Sequence, residues 1–339
     1  MNINKIVFGV LSVILISCTH QAETSTNSAF SDVDICRVAF YNTEKLFDAI
    51  DDKHTNDNDF LPTSKLKWTN DRYLQKVKHI KEVIDNLNEL HSLALIGMAE
   101  VENKEVLDEL LKNDSLFNSI HYNSSDKRGI DVCLIYNTSY FKPIQSYLSY
   151  FDKEDNPKLF LREVLVVKGV LLTDTVHILV NHWPSRREGQ EKSEEKRIAA
   201  AMLTQEIIDS IQTSNPSSSI FVMGDFNDQP SDESMSVMLN VKETKKHAVT
   251  DLINPFKTLQ EEGEGTCTYK RDWYLFDQIL MTHSLTDKKG LRFVDAKIYD
   301  PDWLYYKRDL NSGPFRTYLG DNYYGGYSDH FPVYIELKR

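Results

Sequence analysis

Cysteine is scarce, with four in 339 residues. Cys18 lies at the end of an N-terminal leader, and Cys36, Cys133 and Cys267 show neither CxxC spacing nor a neighbouring histidine cluster. An odd set without a framework excludes a disulfide-stapled scaffold and a zinc module, so each is expected to be a small core hydrophobe. Long apolar runs are missing too. The candidate span, Ile6 to Ile16, has eleven residues, against the ~20 that a membrane-crossing helix requires. Basic residues are in deficit, 39 against 51 acidic ones for a net charge of −12. No global field therefore draws the chain to nucleic acid, and a polyanionic substrate must be held by a local basic patch, by metal, or by both. The 13 glycines and 10 prolines form no collagen-like period and no Pro-rich linker, and no internal repeat divides the chain.

What is present suffices for a packed core: 41% hydrophobic and 11% aromatic residues. At the N-terminus Lys5 supplies a charged region, Ile6 to Ile16 an apolar one, and Leu15-Ile16-Ser17-Cys18 resembles the bacterial lipobox. The resemblance implies a signal peptide over residues 1–17 and lipidation of Cys18 as the mature N-terminus. The protein is then expected to be exported and membrane-anchored, in the periplasm or at the cell surface. The alternative is a signal peptide that merely contains a cysteine. The polar stretch 18–34 reads as a flexible tether.

From residue 35 onward, short β-rich runs recur: Ile35 to Tyr41, Leu93 to Ala99, Asp131 to Tyr136, Val164 to Leu172, Val176 to Val180, Ile220 to Met223, Phe276 to Met281 and Pro332 to Leu337. Between them, Leu74, Val77, Ile80, Val83, Ile84 and Leu87 keep a helical period over Asp71 to Leu90, with Asn70 or Asp71 as the expected cap. A second helix is expected over Ser193 to Ile211, presenting Ile198, Met202, Ile207 and Ile211. Strands and helices are mixed throughout, which predicts one α/β domain over 35–339.

Polar groups gather where apolar runs end, the place a rigid scaffold presents reactive groups. Five such places are Tyr41-Asn42-Thr43-Glu44, Ala99-Glu100-Val101-Glu102-Asn103, Asn181-His182-Trp183-Pro184-Ser185-Arg186, Gly224-Asp225-Phe226-Asn227-Asp228 and Tyr327-Ser328-Asp329-His330. Singly, an Asp or Asn after a strand is most often a turn residue. Their joint occurrence is what carries information, because all five sets are able to converge on one sheet edge.

Together with RGIDVCLIY and YLFDQILM, these strings stand in an order that resembles the endonuclease/exonuclease/phosphatase superfamily, relatives of deoxyribonuclease I and exonuclease III. The resemblance spans the whole domain and implies a four-layer αββα sandwich, two mixed β-sheets packed face to face with outer helices. It also implies a hydrolase of phosphate esters that uses Mg²⁺, with Mn²⁺ as a possible substitute. By the same resemblance Asn42 and Glu100 are metal ligands and Asp329 a second acidic position near the metal. Asp225 and Asn227 orient the attacking water and the phosphate, projecting on the same side if the strand continues. His330 meets the scissile phosphate, Asp277 holds it, and His182 is a second histidine that separates this chain from abasic-site endonucleases. The donor set suits a hard cation that prefers oxygen.

Substrate choice is less legible. Arg186 is well placed in sequence to bind phosphate, within a basic run of Arg187, Lys192, Lys196 and Arg197. Glutamates interleave with it, so a salt-bridged helix start is an equal reading. Inositol-phosphate phosphatases of the superfamily usually carry Trp-Cys-Asp-Arg where this chain has Leu275-Phe276-Asp277-Gln278. The aromatic stretch Asp302 to Tyr327 is either a stacking rim or a packed loop. The expected partner is a phosphate-ester substrate, DNA or RNA among the options, and no obligate protein partner is evident. A phosphodiesterase or nuclease leads, with a phosphomonoesterase or lipid phosphodiesterase as the enzymatic alternative. A non-catalytic surface lipoprotein is the alternative from another class.

Overall fold

The computed structural model describes residues 35–89, 91–151, 161–239, 241, 248–286, 290–306 and 313–339. The leader, Cys18 and the tether lie outside the described residues. Sixteen strands occur among those described. In chain order they are β1 (Ile35–Leu46), β2 (Ser92–Val101), β3 (Phe117–His121), β4 (Asp131–Asn137), β5 (Phe141–Ser149), β6 (Val164–Leu171), β7 (Asp174–His182) and β8 (Ser219–Asp225), followed by β9 (Leu252–Ile253), β10 (Cys267–Tyr269), β11 (Asp272–Tyr274), β12 (Asp277–Thr282), β13 (Arg292–Ile298), β14 (Tyr318–Leu319), β15 (Asn322–Tyr323) and β16 (Val333–Lys338). The helices are α1 (Asn70–Leu87), α2 (Lys104–Leu110), α3 (Gln190–Ser214) and α4 (Phe256–Glu261).

Two six-stranded sheets, ordered β13-β16-β1-β2-β4-β3 and β5-β6-β7-β8-β12-β9, account for most strands. Each is mixed: β1 runs parallel to β2 and β7 parallel to β8, while their other pairings are antiparallel. Alternation along the strands decides the layers. Val38 and Phe40 point into a core shared with Ile178, Val180, Phe221 and Met223 of the other sheet, whereas Ala39 and Tyr41 point outward with Ile80, Val83 and Ile84 of α1. Val222 and Leu280 of the second sheet likewise meet Ala201, Ile207 and Ile208 of α3. The result is the four-layer αββα sandwich. At Gly97 a Cβ would lie 2.5 Å from the Met223 sulfur, so the two sheets approach too closely there for any side chain.

All eight strands expected from apolar runs are present. Of the eight without such a signal, the longer ones, β3, β5 and β13, lie at sheet edges, where one face is left to solvent and the sequence does not look apolar. β5 also carries Pro143, which an edge strand tolerates. Helix α1 is capped by Thr69, whose hydroxyl accepts from the Arg72 amide, not by Asn70 or Asp71. Thr69 is the last extended residue, so its side chain can turn back on the first turn. Leu74, expected on the buried face of α1, is 41% exposed. In helix α3, Ile207 is buried as expected, but Ala200, Ala201, Leu203 and Ile208 share the inward face while Met202 is half exposed. Small residues let the helix lie close on the sheet, a preference that hydrophobicity alone does not reveal. Cys36, Cys133 and Cys267 are buried. The described part of the aromatic stretch is a packed loop: Trp303, Tyr305, Tyr318, Tyr323 and Tyr327 lean on the outer core of the first sheet.

Candidate functional site

Register brings the first residues together. His182 ends β7 directly beside Asp225 at the end of parallel β8, and Asp225 stands opposite Asp277 at the start of antiparallel β12. Gly224 allows this, because a Cβ there would lie 2.5 Å from the Asn181 carbonyl oxygen. From the other sheet, Asn42 reaches across and its Nδ2 donates to Asp225 Oδ2 at 2.9 Å. Glu100 sits at a break in the β2–β4 register with φ +63°. A bulky residue in the left-handed region carries strain that only its surroundings sustain. Its carboxylate comes 3.9 Å from His182 Nε2.

The segment before β16 closes the site. His330 Nδ1 lies 2.6 Å from Asp277 Oδ2, and the same oxygen accepts from the Thr266 hydroxyl at 2.6 Å. Ser328 donates to the Asn42 carbonyl at 2.7 Å and accepts from the His330 amide, tying this segment to the reactive part of β1. Ligand atoms of Asp225, Asp277 and His330 all lie within 4.8 Å of one another. Asp329 Oδ1 is 3.9 Å from His330 Nε2.

The electrostatics differ sharply between the two histidines. Burial disfavours charge on His330, but the carboxylates of Asp277, Asp225 and Asp329 outweigh it and hold the imidazole well above its ordinary range, hence protonated at neutral pH. His182 has no such compensation. Burial, then the guanidinium of Arg162, pushes it well below the ordinary range, so it is neutral. Its Nδ1 is buried without a hydrogen-bond partner among the described residues, and its Nε2 is 3.7 Å from Asp225 Oδ2, too long for a bond. Burial raises Asp225 to about 7, against the pull of His330. Asp329 is held below the carboxylate range, where burial is outweighed by His330, Arg316, Lys45 and Lys76.

Glu100 and Asp329 are carboxylates without a hydrogen-bond donor to their side chains among the described residues, and the Asn42 amide lies beside Asp225. These hard oxygen donors fit a divalent cation such as Mg²⁺. The compact Asp225-Asp277-His330 group is already internally bonded and offers such an ion less.

Two expectations read differently in three dimensions. Asp225 and Asn227 do not continue one strand: β8 stops at Asp225, and Asn227 turns into the left-handed region at φ +51°. Its amide donates to Asp225 Oδ1 at 2.9 Å and its Nδ2 to the Trp183 carbonyl at 3.0 Å, so it buttresses the site through a turn. The Arg186 side chain is already held by neighbouring protein groups. Its Nε donates to the Asn227 carbonyl at 2.7 Å, its Nη2 to Asp228 at 2.7 Å and to Asp232, and the guanidinium lies 4.8 Å from the centre of the Phe276 ring. The salt-bridged reading of the basic run thus describes Arg186, Lys196 (3.1 Å from Glu188) and buried Arg197 (2.6 Å from Asp228).

Other participants carried no assigned role in the sequence, although Glu44 belongs to the polar string after the first apolar run. Buried Lys76 of α1 donates to the Thr317 hydroxyl at 2.7 Å and to the Tyr327 carbonyl, while Glu44 accepts from the Thr317 amide at 2.6 Å. Arg162 Nη1 donates to the carbonyls of His182 and Trp183 at 2.9 and 3.0 Å, and Asp126 holds it in place. Long-range partners of this kind, 20 to 273 residues apart, leave no local pattern.

The fold has many counterparts among solved structures. Zebrafish (D. rerio) TDP2 in complex with a single-strand DNA product is 11% identical, with a TM-score of 0.57 over 90% of this chain and 99% of that one. A Bacteroides thetaiotaomicron mannosyl-6-phosphatase is 15% identical, with a TM-score of 0.56 over 90% of this chain and 100% of that one. A Bacteroides thetaiotaomicron protein of the endonuclease/exonuclease/phosphatase family matches at 15% identity and a TM-score of 0.56, over 90% and 98% of the two chains. At such identities the likeness concerns the fold. Comparison with curated proteins finds no match. The model of the endonuclease/exonuclease/phosphatase family matches residues 37–339, nearly the whole of the described domain, and the chain belongs to that family.

Proposed function

We propose that this protein is an exported, metal-dependent hydrolase of phosphate esters that acts on phosphodiesters, as a nuclease or a related phosphodiesterase. Members of its family are phosphoester hydrolases and are generally dependent on a divalent metal. The observation that carries the reading is a protonated His330, held by Asp277, and a neutral His182, with His182 and Asp277 on the two strands that flank Asp225. A cation and a neutral donor on either side of a carboxylate near neutrality is an arrangement for a charged phosphoryl group and a water.

Asn42, Glu100 and Asp329 would hold Mg²⁺, with Mn²⁺ as a substitute, and the ion would neutralise charge on the phosphoryl oxygens. Asp225, raised to about 7, is matched to accept the proton of an attacking water, with Asn42 and Asn227 fixing its two oxygens. His182 donates from Nε2 to a non-bridging oxygen. His330 stabilises the negative charge that builds as the water oxygen bonds to phosphorus and the ester P–O bond breaks. The leaving oxygen takes its proton from His330 or from solvent.

Two of the structures with this fold suggest the range of esters. One holds a single-strand DNA product and the other is a mannosyl-6-phosphatase. A panel of double-stranded DNA, single-stranded DNA, RNA, sphingomyelin, phosphoinositides, nucleotides and sugar phosphates, under one Mg²⁺ condition, separates diesterase from monoesterase action. Absence of turnover across the panel would return the chain to the class of binding lipoproteins, against which the full set of reactive groups argues. The export reading places residues 1–17 as signal peptide, Cys18 as the lipidated residue and 18–34 as tether. Cys18→Ala is expected to move the protein out of the membrane fraction, and its retention there would refute the anchor.

A further inference from the structure

A cleft of about 290 Å³ opens beside the site, lined among others by Arg128, Arg162, Pro184, Arg187, Glu188 and Lys196. Its wall begins at Pro184, two residues past His182, which puts it within ~7 Å of that histidine along an extended chain. Arg128 and Arg162 are close enough for their charges to act on both His182 and Glu100. A smaller cavity of about 180 Å³ also has Arg128 and Arg187 in its wall, together with Lys45 and Asp59.

The charge arithmetic of the cleft sets it apart from the rest of a chain of net charge −12. Asp126 pairs with both Arg128 and Arg162. Glu188 pairs with Lys196. Four cations thus face two carboxylates. Arg187 is exposed and has no ion pair or hydrogen bond from its side chain to any described residue, in contrast to its neighbour Arg186. Arg162 is almost buried and anchored to the backbone of His182 and Trp183. Its position is therefore linked to the reactive strand end. A formal excess of two positive charges, with one guanidinium unpaired, matches a phosphate group, which a guanidinium fork binds through paired N–H donors.

We propose that this cleft is a subsite for a second phosphate of the substrate, with Arg187 as its recognising residue and Arg128 and Lys196 in support. The proposal rests on the phosphate-ester hydrolase reading above and narrows it: the preferred substrate carries a phosphate beside the one that is cleaved. A nucleotide strand and a sugar bisphosphate both supply that chemistry, and the test separates them.

The experiment compares kcat/KM within two substrate pairs in Mg²⁺: a thymidine dinucleotide with and without a terminal phosphate, at either end, and a hexose bisphosphate against its monophosphate. At least one pair is expected to favour the two-phosphate member by tenfold or more. Arg187→Ala is expected to reduce that preference about tenfold, mainly through KM, and Arg187→Lys to restore part of it. Glu188→Gln, which removes an opposing carboxylate, is expected to increase it. Arg187 is exposed, so its loss does not threaten folding. Equal turnover within both pairs, or a preference that Arg187→Ala leaves unchanged, overturns the subsite while leaving the hydrolase reading intact. Failure to cleave any member of either pair overturns the subsite, while the hydrolase reading falls only if the wider substrate panel also shows no turnover.

Discussion

Asp277 and Asp225 face each other as an antiparallel pair on β12 and β8, and His330 bonds to the first and comes within 4.8 Å of both. Two carboxylates at adjacent strand ends in a buried site disfavour each other's ionisation, and Asp277 accordingly raises Asp225 after the larger effect of burial. The imidazolium offsets this. The consequences can be measured.

Asp277→Asn removes the charge that most favours protonation of His330. His330 then loses its proton at a lower pH, so the alkaline limb of the kcat profile is expected to move to lower pH, with kcat down by at least ~10² near pH 8. His330→Ala should give a similar loss without the alkaline limb. An unshifted profile in Asp277→Asn would show that His330 is not the group that titrates.

Glu100→Gln keeps the shape of the side chain but removes a carboxylate from the proposed cation site. The Mg²⁺ concentration for half-maximal activity should rise by roughly tenfold or more, since a hard cation prefers charged oxygen. Chelation by EDTA should abolish activity in the parent, and Mg²⁺ should restore it. Activity that survives exhaustive chelation would remove the ion from the mechanism.

Arg186→Ala tests a structural assignment. The guanidinium ties Asp228, Asp232 and the Asn227 carbonyl together. Its loss should cost on the order of 1–3 kcal/mol in chemical denaturation, because partly buried carboxylates lose a charged partner. A variant of unchanged stability whose KM rises tenfold would instead make Arg186 a substrate ligand.

His177 supplies a pH test remote from the site. Burial, then Lys168 paired beside it on β6, depresses its proton affinity in the folded state. The unfolded chain takes up the proton near pH 6.5 and the folded one resists. Stability from this group is therefore complete above that pH and is lost as pH falls below it. His177→Gln should lose less stability than the parent between pH 7 and pH 5, read from urea midpoints. Parallel slopes would show that His177 does not couple to folding.

The apolar run Ile35 to Tyr41 and its counterparts, and the polar strings after each of them, were legible in the sequence, whereas the division of Val38 and Phe40 from Ala39 and Tyr41 between two cores was not. A central strand buried on both faces shows a continuous apolar run, and the reactive residues stand where that run gives out. That is why the αββα architecture and the family were within reach. Edge strands such as β5, the Thr69 cap and the inward face of α3 were not, because each depends on which side of an element meets solvent. The site's electrostatics were further still from view. His182 and His330 are the same residue type after similar apolar runs, yet one is neutral and the other charged. Only the packed structure decides this, since it places Asp277 at 2.6 Å from His330 and leaves His182 in a dry setting near Arg162. Arg186 and Arg187 make the same point as adjacent residues: the fold ties one to carboxylates and leaves the other free in the cleft. Residue order determines which groups exist, while their charge and availability follow from distances that only the folded chain sets.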